Sequence, residues 1–219
     1  RHFLGLAQNG AAFLMSHCLL GADDWRCVFL MDETGAPKPV NGWKPLDMSL
    51  YADCFVIAGL ARYAAAGGDR KAFDFGLKLY ESCLRRLDSG RYNTLPYPLP
   101  AGYRAHGIPM IFSNVTAELI GAAGILAPDS PDRLRGRLRD RLLTFNLDIR
   151  DHFVDKDQVI HEIIGSDDSF FPGLLGQHAN PGHTLEDMWF MLEAADILEK
   201  PQWLDTIAAI TGKALENGW

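Results

Sequence analysis

His183 and Glu186 stand three residues apart in the run HANPGHTLEDMW, directly behind Asn180-Pro181-Gly182. On a helix that spacing places both side chains on one face. A carboxylate beside an imidazole fixes its tautomer and raises the basicity of the other ring nitrogen, the minimum equipment of a general base. The same spacing also fits a plainer arrangement, in which Glu186 meets the positive end of a helix and His183 is a satisfied turn residue. HxxE lacks further ligands at zinc spacing, so no metal is expected. His178 and Trp189 are expected to line the pocket that His183 faces, with Tyr51 from an earlier helix. His106 follows a Pro/Tyr/Gly-rich loop and is less telling. His2, His17, His152 and His161 are expected at the surface or in satisfied hydrogen bonds.

A second set of residues fits different chemistry. Asp167 and Asp168 lie in SDDSFF, and together with Glu162 and Glu186 they could supply the carboxylate pair of a glycoside hydrolase. Adjacent aspartates more often form turns. Trp43, Tyr51, Phe112, Trp189 and Phe190 could stack on a sugar, although aromatics on inner helices usually fill the core. The NVT run at 114–116 matches a glycosylation sequon but falls inside an apolar helix. No phosphate-cradling glycine loop, nucleophile elbow or dinucleotide fingerprint is present, so no cofactor is expected.

Composition narrows the partners. With 21 Lys and Arg against 28 Asp and Glu, the 219-residue chain carries a net charge of −7, which argues against nucleic acid as a partner. No apolar run approaches the roughly 20 residues that span a bilayer, and no membrane association is expected. Cys18, Cys27, Cys54 and Cys83 form no CxxC pair, and they read as small buried hydrophobes of a reducing, cytoplasmic compartment.

The elements that must position these residues are helices. The 3.6-residue period predicts helices over 2–20, 47–66 (capped by Asp47, ended by Gly67-Gly68), 70–88 and 108–126. It continues with one opened by Ser130 and Pro131, then 182–199 and 201–217. Leu134, Leu138 and Leu142 recur among arginines as on a surface helix. Two strand-like stretches, in WRCVFLMDETGAPKPV and DQVIHEII, look like loop decorations. Helices 47–66, 108–126 and 182–199 are apolar on most faces, and their neighbours carry more charge. This alternation predicts an all-α fold with buried inner and amphipathic outer helices, as in an α/α barrel or solenoid. The long insertions 20–46, 90–107 and 154–181 each precede an inner helix and would gather at one end as a pocket. A chain that begins at Arg1 in mid-helix and ends at ALENGW is expected to be part of a longer one.

NPGHTLEDMWFMLEAADIL resembles the NPGHxxEaxWfLL signature of the N-acylglucosamine 2-epimerase family, which includes cellobiose 2-epimerases and mannose- or sulfoquinovose-type aldose–ketose isomerases. LYADCFVIAGLARYAAAGGD, VFLMDETGAPKP and IRDHFVDKDQVIHEIIGSDDSF are similar to further family segments. The resemblance implies an (α/α)6 barrel of which residues 1–219 would be one incomplete domain, helices three to nine of twelve. It implies proton transfer at C2 of a ring-opened sugar through an enediol or enolate, with a small-molecule sugar as partner and without metal or redox cofactor. His183 falls on one of the family's two acid/base histidines and Glu186 on its carboxylate partner. The second histidine would lie beyond Trp219, and a carbonyl-polarising arginine before Arg1. Ile111 stands about where cellobiose- and mannose-type members carry an additional histidine, which leaves the substrate open. An incomplete barrel would expose apolar helix surface, so self-association as a homodimer is expected. The alternatives are an (α/α)6-barrel glycoside hydrolase and a catalytically incomplete sugar-binding protein.

Overall fold

Ser49, Asp69 and Asn180 sit in extended backbone, and each turns a side-chain oxygen onto the first free amides of the helix that follows. This satisfies donors that a helix start leaves unpaired. The computed structural model describes residues 2–126 and 132–218. Among them the helices are α1 (His2–His17), α2 (Leu50–Gly67), α3 (Arg70–Asp88), α4 (Gly107–Leu126), α5 (Asp132–Asp148), α6 (Pro181–Leu198) and α7 (Leu204–Gly218). Four short strands accompany them: β1 (Leu19–Gly21), β2 (Asp24–Cys27), β3 (Tyr103–Ala105) and β4 (Ile163–Gly165). The expected cap at Ser130 and Pro131 lies outside the described residues. Packing divides the chain into two units. One holds the chain up to Pro98 and α4 from Glu118; the other holds Leu99–Ala117 and the chain from Asp132 onward.

In the first unit, α2 and α3 form a hairpin across Gly68 and Asp69. Gly68 takes the left-handed backbone (φ 69°) that closes α2 without a Cβ clash. Ile57, Leu60, Ala61 and Ala64 of α2 and Phe73, Leu79, Tyr80 and Cys83 of α3 are buried at helical spacing. Helix α2 starts later than the sequence suggests, because Leu50 N–H donates to Asn93 O and Leu95 N–H to Met48 O. That ladder holds residues 48–50 extended, so Ser49 and not Asp47 caps the helix. Asp47 instead accepts from Arg26 Nη1 at 2.8 Å. A buried ion pair, Arg86 to Asp53 at 2.8 Å, joins α3 to α2, and Cys27 N–H of β2 donates to the same carboxylate. All four cysteines are free and buried.

The second unit is built on the first half of α4 and on α5, α6 and α7. Phe112 packs on Phe145 with ring centroids 5.2 Å apart. Asn146 donates to Ser113 Oγ and to Leu142 O, both at 2.8 Å. Leu138 and Leu142 are buried, so this stripe faces inward and not to solvent as the surrounding arginines suggested. α5 runs directly into a π-helical turn, Ile149–Phe153. Trp203, in the 3-10 turn between α6 and α7, is buried. By length and composition α4 is apolar enough to cross a membrane, contrary to the sequence expectation, but 72% of its most apolar window is buried inside the protein. The strands pair in twos, β1 with β2 and β3 with β4, both antiparallel; β1 begins where the helix expected over 2–20 was still to continue, since α1 ends at His17. β3 was not expected at all.

Candidate active site

β3 and β4 set the frame. Tyr103 pairs with Gly165, Arg104 with Ile164 and Ala105 with Ile163. The register continues one step further, where His106 N–H donates to Glu162 O at 2.9 Å. Glu162 N–H in turn donates to His178 O at 2.8 Å. His106 and Glu162 are therefore cross-strand neighbours, close enough for their side chains to interact.

α6 enters this frame at its first turn. Asn180 caps it by accepting from Gly182 N–H at 3.0 Å and His183 N–H at 3.3 Å, and Pro181 occupies a position where no N–H is needed. The ring of His183, on the third helical residue, reaches Glu162. Its Nδ1 lies 3.1 Å from both carboxylate oxygens. Burial works to raise the Glu162 pKa, but hydrogen bonds and charge from His106 and His183 outweigh it and hold the carboxyl below its usual range. An ionised carboxylate only accepts, so Nδ1 carries the shared proton and Nε2 keeps the lone pair of the neutral ring. Nearly half of the His183 side chain (47%) is exposed.

Behind Glu162 lies a second imidazole. His106 is fully buried, with Nε2 2.9 Å from Asp187 Oδ2 and Nδ1 3.7 Å from Glu162 Oε1. The first is a hydrogen bond, and the second is a charge contact too long to be one. Burial disfavours the cation, yet the Asp187 hydrogen bond and charge, joined by those of Glu162, lift the His106 pKa to about 9. Asp187 is itself fully buried, four residues after His183 on the same face of α6. The result is a row of alternating carboxylates and imidazoles: Asp187, His106, Glu162, His183.

The expected site residues separate here. His183 is in the row. Glu186, its expected partner, is exposed, and the carboxylate that contacts the ring belongs to Glu162. A helical side chain leans toward the N-terminus of its helix. His183 therefore reaches past the first turn to Glu162, while Glu186 keeps its hydration. His178 gives its carbonyl to Glu162, but its imidazole is exposed. Trp189 is more than half exposed and donates to Glu193 Oε1 at 3.1 Å. Six residues from His183 is roughly 240° around the helix, so it lies off the His183 face. Tyr51 stands half-buried in the first turn of α2, in the other unit. Ile111 is buried in α4. A small cleft of about 10 Å³ lies beside α6, lined by Gln158, Pro181, Thr184 and Lys213 among others, and none of the expected site residues lines it.

Asp148, Asp155, Asp167 and Asp168 are engaged elsewhere. Arg104 of β3 pairs with Asp148 at the end of α5 and with Asp168, and it stacks 5.2 Å over Phe153. His152 Nδ1 lies 3.2 Å from Asp168. Asp167 closes a turn on Ser169, whose hydroxyl donates to it at 2.6 Å. His161 bonds Asp155 and the Gly176 carbonyl, as expected of a satisfied histidine. Among the described residues no group of three or more His, Cys, Asp or Glu could hold a metal ion.

The described residues thus define a class by architecture: a mostly helical protein in which a partly exposed imidazole rests on a buried carboxylate. No family model matches the chain. The rat (Rattus norvegicus) N-acylglucosamine 2-epimerase is 24% identical over 194 residues, 88% of this chain and 43% of its own length. The human (Homo sapiens) protein of that name is 22% identical over 192 residues. Among solved structures, cellobiose 2-epimerase from Spirochaeta thermophila superposes with a TM-score of 0.66 at 18% identity, over 97% of this chain and 53% of that one. A sugar epimerase from a ruminal bacterium superposes with a TM-score of 0.64 over 98% of this chain. The chain is thus similar in sequence to N-acylglucosamine 2-epimerases, and it spans 43% of the length of the first curated relatives it matches.

Proposed function

We propose that this chain forms part of a carbohydrate 2-epimerase or aldose–ketose isomerase, with His183 as a general acid/base at C2 of a ring-opened sugar. The carrying observation is the contact of His183 Nδ1 with both oxygens of Glu162, at 3.1 Å each. It leaves Nε2 free to take the proton alpha to the sugar carbonyl. The conjugate enediolate is reprotonated at C2 for epimerisation, or at C1 for isomerisation. Glu162 aims the ring and balances the charge that His183 gains on taking the proton. Likeness in sequence to N-acylglucosamine 2-epimerases supports this reading. We place the reaction in the cytoplasm, in keeping with four free buried thiols.

The glycoside hydrolase reading is less well supported. A general acid for that cleavage needs a raised pKa. Glu162 is instead held low by its two histidines, and Asp167 is lowered chiefly by the Ser169 hydrogen bond. Asp168 is tied to Arg104 and His152.

The test is exchange of the C2 hydrogen in D2O, followed by proton NMR with N-acetylmannosamine, mannose and cellobiose as separate substrates. The complete natural protein is compared with its His183→Ala variant. Exchange in the wild type should fall by roughly 10²-fold or more in the variant, as for loss of a proton-transfer group. Wild-type exchange in the variant would remove His183 from the mechanism, and release of reducing sugar without isomerised product would favour hydrolysis.

A further inference from the structure

His106 and Asp187 are a buried ionisable pair that the reaction as written does not use. Fully buried charges are costly and persist only where partners hold them. Two observations connect this pair to His183. The first is backbone geometry, since His106 N–H bonds Glu162 O and so continues the β3–β4 ladder. The second is side-chain geometry, since His106 lies between Asp187 Oδ2 at 2.9 Å and Glu162 Oε1 at 3.7 Å. Among the described residues, the charged groups with contacts to His106 are Asp187 from α6 and Glu162 beside β4. Those with contacts to Glu162 are His106 and His183. The Phe153 ring lies 5.8 Å from the His106 ring and adds no charge.

We propose that His106 is a positioning residue of the site: as the buried counter-ion of Glu162, clamped by Asp187, it holds that carboxylate on His183 and limits how strongly it draws a proton onto the ring. A lone carboxylate contacting His183 would favour the imidazolium and so remove the free base. A cation on the far side of the carboxylate lowers that pull while leaving the aiming hydrogen bond intact. The row would thus keep His183 oriented and able to exist in its basic form. This inference rests on the proposed role of His183, but its test reads ionisation directly and does not require turnover.

The test is histidine-selective 13C and 15N NMR titration of the complete natural protein, with His183 signals assigned by loss in His183→Ala. The variant is His106→Gln, whose amide can still donate to Asp187 but carries no charge. The His183 titration midpoint should move up by about one pH unit, the order expected for removing a unit charge several ångströms away across a partly buried site. Where C2 exchange is measurable, the rising limb of its pH profile should move up by the same amount, with KM little changed. A folded His106→Gln protein with an unmoved His183 midpoint would overturn the proposal. Should His106→Gln not fold, the wild type decides. A His106 ring protonated on both nitrogens at pH 7 supports the proposal, and a neutral one overturns it. Loss of exchange in His183→Ala bears only on the catalytic reading, so the two ideas fail separately.

Discussion

Replacing Asp187 with Asn removes a fully buried negative charge from His106 while keeping size and hydrogen-bonding shape nearly the same. The His106 pKa rises from the ordinary 6.5 to about 9 in the folded chain. At 1.36 kcal/mol per pH unit this is roughly 3 kcal/mol of charge stabilisation. Because the folded value is raised, that stability is fully present below pH 6.5 and is lost as pH rises through about 9. Without Asp187, burial of His106 is opposed by Glu162 alone, and its pKa should fall back to the ordinary value or below. Asp187→Asn should therefore cost about 3 kcal/mol at pH 6, near the lower limit seen when one partner of a buried pair is removed. The difference from wild type should shrink by a similar amount by pH 10, where the wild-type ring has lost its proton. Urea unfolding followed by circular dichroism at pH 6, 7, 8, 9 and 10 measures this. A difference independent of pH would show that Asp187 acts through packing alone and that His106 is neutral in the fold.

Two further expectations concern the first turn of α6. Glu162→Gln should lower C2 hydrogen exchange by at least about tenfold, whereas Glu186→Gln, on an exposed side chain, should leave it within about twofold; the reverse ranking in the exchange assay would restore Glu186 as the orienting group. Asn180→Ala removes the acceptor for Gly182 N–H and His183 N–H and should cost about 1 kcal/mol in urea unfolding, with no change meaning that solvent caps the helix equally well.

The helices were legible in sequence because each carries several turns of periodic burial. In α3 the period puts Phe73, Leu77, Tyr80 and Leu84 on one face, and the structure buries Phe73 and Tyr80 of these, with Leu79 and Cys83 beside them. The local chemistry of Asn180 and Pro181 likewise marks the start of α6, and Gly67-Gly68 the end of α2. His183 stood out in the sequence because an unusual residue follows a sharp turn. Its partner was missed because helical spacing states which residues share a face, not which group fills the space beyond the helix end. β3 has three residues, too few for an alternating pattern to stand out. His106 and Asp187 are 81 residues apart in sequence, so no local pattern reveals their contact. Asp47 was a reasonable cap that lost to a backbone ladder formed with residues 93–95, a long-range contact that overrode local preference.

The short ladder of β3 and β4 also determines which mutations this site can tolerate. Neighbouring strand residues point to opposite faces. A single-residue deletion in the turn at Asp155–Val159 that slid β4 along β3 would present His161 or Ile163 to His106 in place of Glu162. Length changes in the α4–α5 connection enter the chain between the two strands and need not disturb their pairing. A few rungs of backbone therefore hold His106 and Glu162 in register independently of the length of that connection.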